Sequence, residues 1–153
     1  MTDAQQPVFN IEKLYVKDLS VEVPNAPAIY LEREAPHTDV NMTTESHPIG
    51  DDIYNTTITV TVTSKIGDKT LFLVECTQGG IFRIQNVPQE QIPMVLGIGC
   101  PNIVFPYLRE TVSDVVIRAG FPPLLLNPVN FEALFMQQQQ QAQQQQAAPA
   151  QTH

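Results

Sequence analysis

Residues 53–85, IYNTTITVTVTSKIGDKTLFLVECTQGGIFRIQ, hold the strongest periodic signal in the chain. Tyr54, Ile58, Val60 and Val62 alternate with Thr57, Thr59, Thr61 and Thr63. A period of two, with β-branched residues on both faces, is a half-buried strand. KIGDK is a short glycine-containing turn, so TLFLVECTQ returns beside the first strand as its hairpin partner. Gly79–Gly80 reads as a further tight reversal, into IFRIQ. Three sequential antiparallel strands result.

A fourth strand precedes them, over residues 8–23. In NIEKLYVKDLSVEV, Leu14 and Val16 occupy even positions while Leu19, Val21 and Val23 occupy odd ones. Successive side chains of an extended chain point to opposite faces, so the apolar face slips between Val16 and Leu19. A β-bulge near Lys17 produces such a slip. After it, Asp18, Ser20 and Glu22 face away from the apolar side. VPNAP then breaks the ladder and starts an irregular crossover, APAIYLEREAPHTDVNM, with Ile29, Tyr30 and Leu31 together in it. Long loops of this kind are functional or disordered, and the apolar triplet argues for function.

The second half is helical. QIPMVLGIGC reads as a short helix interrupted by Pro93 and two glycines. In PNIVFPYLRETVSDVVIRAG, Pro101 suits a first turn and Gly120 an end. Val104, Tyr107, Leu108, Thr111, Val112 and Val115 form its expected inward stripe, and Pro106 falls early enough to kink it. FPPLLLNP is an extended apolar connector. A second helix starts at Asn127 or Asn130, either of which can cap it, with Phe131, Leu134 and Phe135 on one face. Beyond Met136 only glutamine, alanine and a few polar residues follow, without an apolar stripe. The expected class is α+β: a four-stranded antiparallel sheet with a crossover loop after its first strand, packed with two helices. Residues 1–7 read as a flexible arm, 8–136 as the folded domain and 137–153 as a disordered Gln/Ala tail.

Composition removes several functions. Of 153 residues 42% are hydrophobic and 16% charged, with a formal net charge of −8. Nucleic-acid binding needs clustered Lys and Arg, so no nucleic acid is expected as partner; an acidic chain suits basic ones. MTDAQQPVF lacks the cationic and apolar regions of a signal peptide, and no apolar run reaches the roughly 18 residues of a membrane span. A cytoplasmic location without membrane insertion is the expectation. Cys76 and Cys100 make neither a disulfide framework nor a four-ligand metal site, and read as packing residues. His37, His47 and His153 lack metal-ligand spacing. No phosphate loop, dinucleotide fingerprint or nucleophile elbow is present, so neither a catalytic site, a metal nor a cofactor is expected. The apolar surplus in AIYL, FPPLLL and the flank of the first helix instead implies oligomerisation or a binding groove.

Four blocks, FNIEKLYVKDLSVEVPNAP, FLVECTQGGIF, CPNIVFPYLRE and PVNFEALFMQ, occur in one order between Phe9 and Met136. Together they closely resemble SecB, the bacterial protein-export chaperone family. The resemblance implies the fold just derived, assembled as a homotetramer, a dimer of dimers. It implies a chaperone that holds unfolded precursor proteins without ATP and passes them to the motor SecA. In the family an acidic patch on the sheet binds the basic, zinc-containing tail of SecA; the matching positions are Asp18, Glu22, Leu73 and Glu75. Carboxylates flanking an apolar residue on a flat sheet suit a cationic partner, mainly through association rate and specificity. The resemblance places a client groove between the crossover loop and the second helix, for which Ile29, Tyr30, Leu31, Leu124, Leu126, Phe131 and Phe135 are the candidates. Val74, Cys76 and Gln78 alternate with Leu73 and Glu75, and so should point to the helices or a subunit contact; matching positions in the family affect assembly. The tail departs from the acidic tails common in the family, which puts any tail-based contact with SecA in doubt. Two rivals remain: a SecB-like chaperone with another customer, such as an antitoxin, and a small enzyme on a hot-dog scaffold, for which no catalytic constellation is present.

Overall fold

A computed structural model describes residues 5–147. Four strands, β1 (Val8–Glu22), β2 (His37–Gly50), β3 (Ile53–Ile66) and β4 (Lys69–Gln85), form one antiparallel sheet in the order β1-β4-β3-β2. Two main helices follow, α1 (Cys100–Arg118) and α2 (Phe131–Ala147). The α+β class and the strand number agree with the sequence reading, but two of the strands differ from it.

β4 does not reverse at Gly79–Gly80; it runs straight through to Gln85. The glycines serve close approach, not a turn. A Cβ on Gly79 would overlap the ring of Tyr15, which lies across it, and one on Gly80 would crowd Phe82 and Val104. The remaining strand is β2, inside the segment expected to be loop. Its sequence, HTDVNMTTESHPIG, carries few apolar residues because β2 is an edge strand and α1 does not cover it. The register shift between Val16 and Asp18 leaves Lys17 as the extra residue, the expected bulge. A second shift leaves out Glu12, and its carboxylate meets Arg83 at 2.9 Å.

Between β1 and β2 the chain passes from one sheet edge to the other, with a 3-10 turn over Ala28–Leu31. Lys69 Nζ donates to Glu32 at 2.9 Å, and that hydrogen bond, followed by the attraction of the carboxylate, raises the lysine pKa. Gly67, at φ +60, supplies the left-handed residue of the β3–β4 turn.

The core lies between one face of β3 and β4 and helix α1. Ile58, Val60, Val62, Val74, Cys76 and Phe82 meet Val104, Leu108, Val112 and Val116, all essentially inaccessible. The expected stripe of α1 needs two corrections: Tyr107 is 48% exposed, and Phe105, one position off that stripe, is buried. Phe105 is drawn in by Phe131 of α2, whose ring meets it edge-on at 5.9 Å. α1 is continuous with turns from Gln89 onward, including a π-helical turn at Val95–Gly99. The stretch Gln89–Arg118 is long and apolar enough to cross a membrane by length and composition. Here one side of its α1 portion is spent on the sheet.

Asn130, and not Asn127, caps α2: its Oδ1 accepts the Ala133 N–H at 3.0 Å. The helix continues through the glutamines to Ala147. Gln and Ala are good helix formers and need no apolar stripe to extend a helix that packing has started. Residues 148–153 and 1–4, which include parts of the expected tail and arm, lie outside the described residues. Gln6 is held at its carbonyl by Asn86 Nδ2 at 3.0 Å.

Candidate functional site

The register of the sheet builds the open face row by row. Directly paired residues share a face, so Glu22, Leu73, Thr63 and Asp39 form one row across all four strands. Ser20, Glu75, Thr61 and Asn41 form the next, and Asp18, Thr77, Thr59 and Thr43 the third. Asp18, Glu22, Leu73 and Glu75 are therefore brought together on one face. The three acids are exposed and Leu73 is half-buried between them. The bulge at Lys17 is what turns Asp18 and Glu22 to this side; without it they would face the helices.

None of the four ion pairs among the described residues includes Asp18, Glu22 or Glu75. The platform is flanked by Thr59, whose hydroxyl meets that of Thr77 at 2.9 Å, and by Tyr15, which donates to Asn55 Oδ1 at 2.6 Å while covering Gly79. A flat, hydroxyl-lined surface with unpaired carboxylates and one apolar residue offers a cation charge and a shallow foothold. Asp39 belongs to the same face, 3.1 Å from His37. The sequence offers little sign of it, because the residues of β2 read as loop and only the weak alternation of Val40 and Met42 marks a strand.

Val74, Cys76 and Gln78 point the other way, to the helices, and are buried. Thr111 Oγ1 lies 3.4 Å from Gln78 Oε1. Burial raises the Cys76 thiol to about 11, with Asp18 adding to the shift. Burial likewise raises Cys100 to about 12, opposed by a hydrogen bond with Thr56. Both are inert packing thiols at neutral pH. Among the described residues no three His, Cys, Asp or Glu side chains converge as a metal site.

The seven groove candidates divide. Ile29, Leu126 and Phe131 are buried at 2%, 7% and 3% exposure, and are core residues of the chain. Tyr30 donates to the carbonyl of Ala119 at 2.6 Å and stacks on Phe121 at 5.3 Å, so it fastens the 3-10 turn to the end of α1. Leu31 is 83% exposed. Phe135 is half-buried against Gly97, where a Cβ would collide with its ring. Leu124 lines a groove of about 490 Å³ beside β2, with Val40, Met42, Leu125 and Leu134. Leu125, 73% exposed, was missed because three successive leucines in an extended connector give no periodic sign of which faces out. A second apolar trough of about 500 Å³ lies between Phe9 and the π-helical turn, lined by Met94, Val95, Ile98 and Ile103.

Further apolar surface follows β1. Phe9, Ile11, Val16, Leu19 and Val21 stand on its helix side yet are 37–48% exposed, and Tyr107 and Ile117 lie open on the flank of α1. That makes a broad uncovered band on one side of the molecule.

Comparison with known proteins gives a consistent family. Residues 2–142 match the family model of SecB, described as preprotein translocase subunit SecB. A protein-export protein SecB of Thiobacillus denitrificans is 83% identical over 153 residues, all of both chains. The protein of that name from Methylobacillus flagellatus is 63% identical over 134 residues, 88% of this chain and 85% of the other. Among solved structures, a SecB-like chaperone of Mycobacterium tuberculosis in complex with a ChAD peptide from the HigA1 antitoxin shares the fold. Its TM-score is 0.64 at 16% identity, over 79% of this chain and 90% of that one.

Proposed function

The chain belongs to the SecB family of protein-export chaperones, and from that premise we propose that it holds unfolded precursor proteins without ATP and hands them to SecA. The observation that carries the reading is the pairing of two unlike surfaces on one small fold. One is apolar and open, the other acidic and flat.

Clients bind the apolar groove of Leu124, Leu125, Leu134, Val40 and Met42, next to the edge of β2 that no strand among the described residues covers. An unfolded chain is recognised by what folding would hide: apolar side chains and backbone groups. A groove with adaptable leucine and methionine walls takes the former, and a free strand edge takes the latter. Leu31 and Phe135 extend the surface. The net charge of −8 draws basic clients to it.

SecA binds through its basic, zinc-containing tail to Asp18, Glu22, Leu73 and Glu75. Their unpaired charge on an exposed, rigid sheet supports this assignment, and rim carboxylates act chiefly on association rate. The apolar band along β1 and α1 supports assembly into a homotetramer, a dimer of dimers, acting in the cytoplasm. Val74, Cys76 and Gln78 affect that assembly through the packing of β4 under α1. The connection between the two edge strands serves as the family's crossover loop.

A refolding assay tests the function. A slow-folding exported precursor is diluted from denaturant into excess protein without nucleotide, and native mass is read on the same sample. Arrested refolding, with client on a particle about four times the 17.0 kDa chain, is the expected result. Unimpeded refolding with no complex overturns it. A second reading, a chaperone of the same fold serving an antitoxin, is favoured by the peptide in the mycobacterial complex. SecA-tail binding that is lost in Glu75→Lys decides for export.

A further inference from the structure

Pro101 sets a problem for the helix that contains it. Having no N–H, it leaves one carbonyl in the preceding turn without a helical donor. In an α register that carbonyl is Gly97, four residues back; in a π register it is Leu96, five back. The chain takes the π register, for the Cys100 N–H donates to Val95 O. Cys100 is thus committed, Pro101 has nothing to give, and the Leu96 carbonyl is left over.

Ser46 of β2 answers it. Its hydroxyl donates to Leu96 O at 3.2 Å, and its oxygen lies 2.8 Å from Thr56 Oγ1. Thr56 is fully buried. Ser46 has one proton and gives it to the Leu96 carbonyl, so between the two hydroxyls Thr56 is the donor. The sheet thereby reaches the helix at the one carbonyl that only the π register exposes.

We propose that Ser46 is a positioning residue that latches Val95–Gly99 in the π register and so shapes the client-binding surface. Its consequence for clients rests on the holding function proposed above. The π turn seats Phe135 of that surface and lines the neighbouring apolar trough. Gly97 offers Phe135 of α2 a bare Cα to sit against, and Met94, Val95 and Ile98 line the trough beneath Phe9. A slip to the α register rotates the preceding residues by about 100° about the axis, since each residue of an α-helix turns that far. Phe135 then loses its seat and the trough its lining.

The test is a mutant cycle read in two ways on the full-length protein. Amide exchange at Cys100 reports the Cys100–Val95 bond, and binding of a reduced, carboxymethylated polypeptide reports client holding. Ser46→Ala is expected to speed exchange and weaken binding each by up to about tenfold, the size of one lost hydrogen bond. Ser46→Thr restores both. Pro101→Ala supplies an N–H, so neither register strands a carbonyl, and Ser46→Ala in that background changes neither readout. Unchanged exchange in Ser46→Ala, or an undiminished loss in the Pro101→Ala background, overturns the latch. Faster exchange with unaltered polypeptide binding overturns its role in client holding. A wild-type protein that binds no unfolded polypeptide overturns the proposed function instead, while exchange still decides the register.

Discussion

The two faces of the sheet are built from the same strands, residue by alternate residue, and obey different rules. On β4, Val74 and Cys76 are buried at 1% and 0% exposure, while Glu75 between them is exposed. The helix side is constrained by packing, where every methylene is felt. The open side is constrained by charge and flatness, and tolerates any residue that keeps the sheet. A substitution one position along β4 thus moves from a question of folding to a question of partners.

The sharpest break in that contrast is Val74→Asp. An unpaired carboxylate under α1 costs more than a small domain of marginal stability can bear, so no cooperative thermal transition is expected in circular dichroism. Deletion of Lys17 comes next. It removes the unpaired residue and joins Val16, opposite Gln78, directly to Asp18, opposite Thr77, in an unbroken ladder, so Asp18 and Glu22 keep the open face and Leu19 and Val21 the helix side. SecA-tail binding should survive in titration calorimetry, with the melting temperature changed only by the lost bulge. If binding is lost, the bulge does more than set which face the acids take.

Gly79→Ala sets a methyl group against the Tyr15 ring on the open face, at a cost of about 1–3 kcal/mol in denaturant unfolding. A neutral result would mean that Tyr15 moves aside freely. The thiols make a gentler probe of the helix side. Their pKa values are raised in the folded chain, so their contribution is fully present below pH 9.0 and is lost as pH rises through about 11 for Cys76 and about 12 for Cys100. The alkaline fall in stability should be shallower in the Cys76→Ala, Cys100→Ala double variant, by comparison of urea midpoints from pH 8 to 11.5. Equal slopes would place the loss elsewhere.

The smallest effect on folding and the largest on function belongs to Glu75→Lys. Stability should change by about 0.5 kcal/mol or less, as for most surface positions, with native mass and client holding intact and SecA-tail binding abolished. A mutant that binds the tail normally removes the platform from the mechanism.

Much of this was readable without coordinates, and the limits fall at specific residues. The bulge at Lys17 was legible because apolar positions change parity there, and parity is a local property. The face of Asp18, Glu22 and Glu75 followed from it. Gly79–Gly80 misled, since a glycine pair in a sequence signals a turn or a close approach equally well. Only Tyr15, some 60 residues earlier, decides for close approach. β2 was missed for the complementary reason: an edge strand with little to bury shows little alternation. Ile29, Leu126 and Phe131, read as groove candidates, are core, while Leu125 is surface.

By itself, then, the sequence determined what repeats or changes along neighbouring residues: the β3–β4 hairpin, the bulged first strand, the proline-started helix and the acidic alternation of β1. Those follow from side-chain period and backbone chemistry, which act over a few residues. Tertiary structure alone decided that β4 continues past its glycines, that β2 closes the sheet at its far edge, and which leucines turn outward. It also decided that Ser46 meets the carbonyl orphaned by Pro101. Each of these depends on a partner tens of residues away. Burial and hydrogen-bond satisfaction are settled between segments, and no period within one segment encodes them.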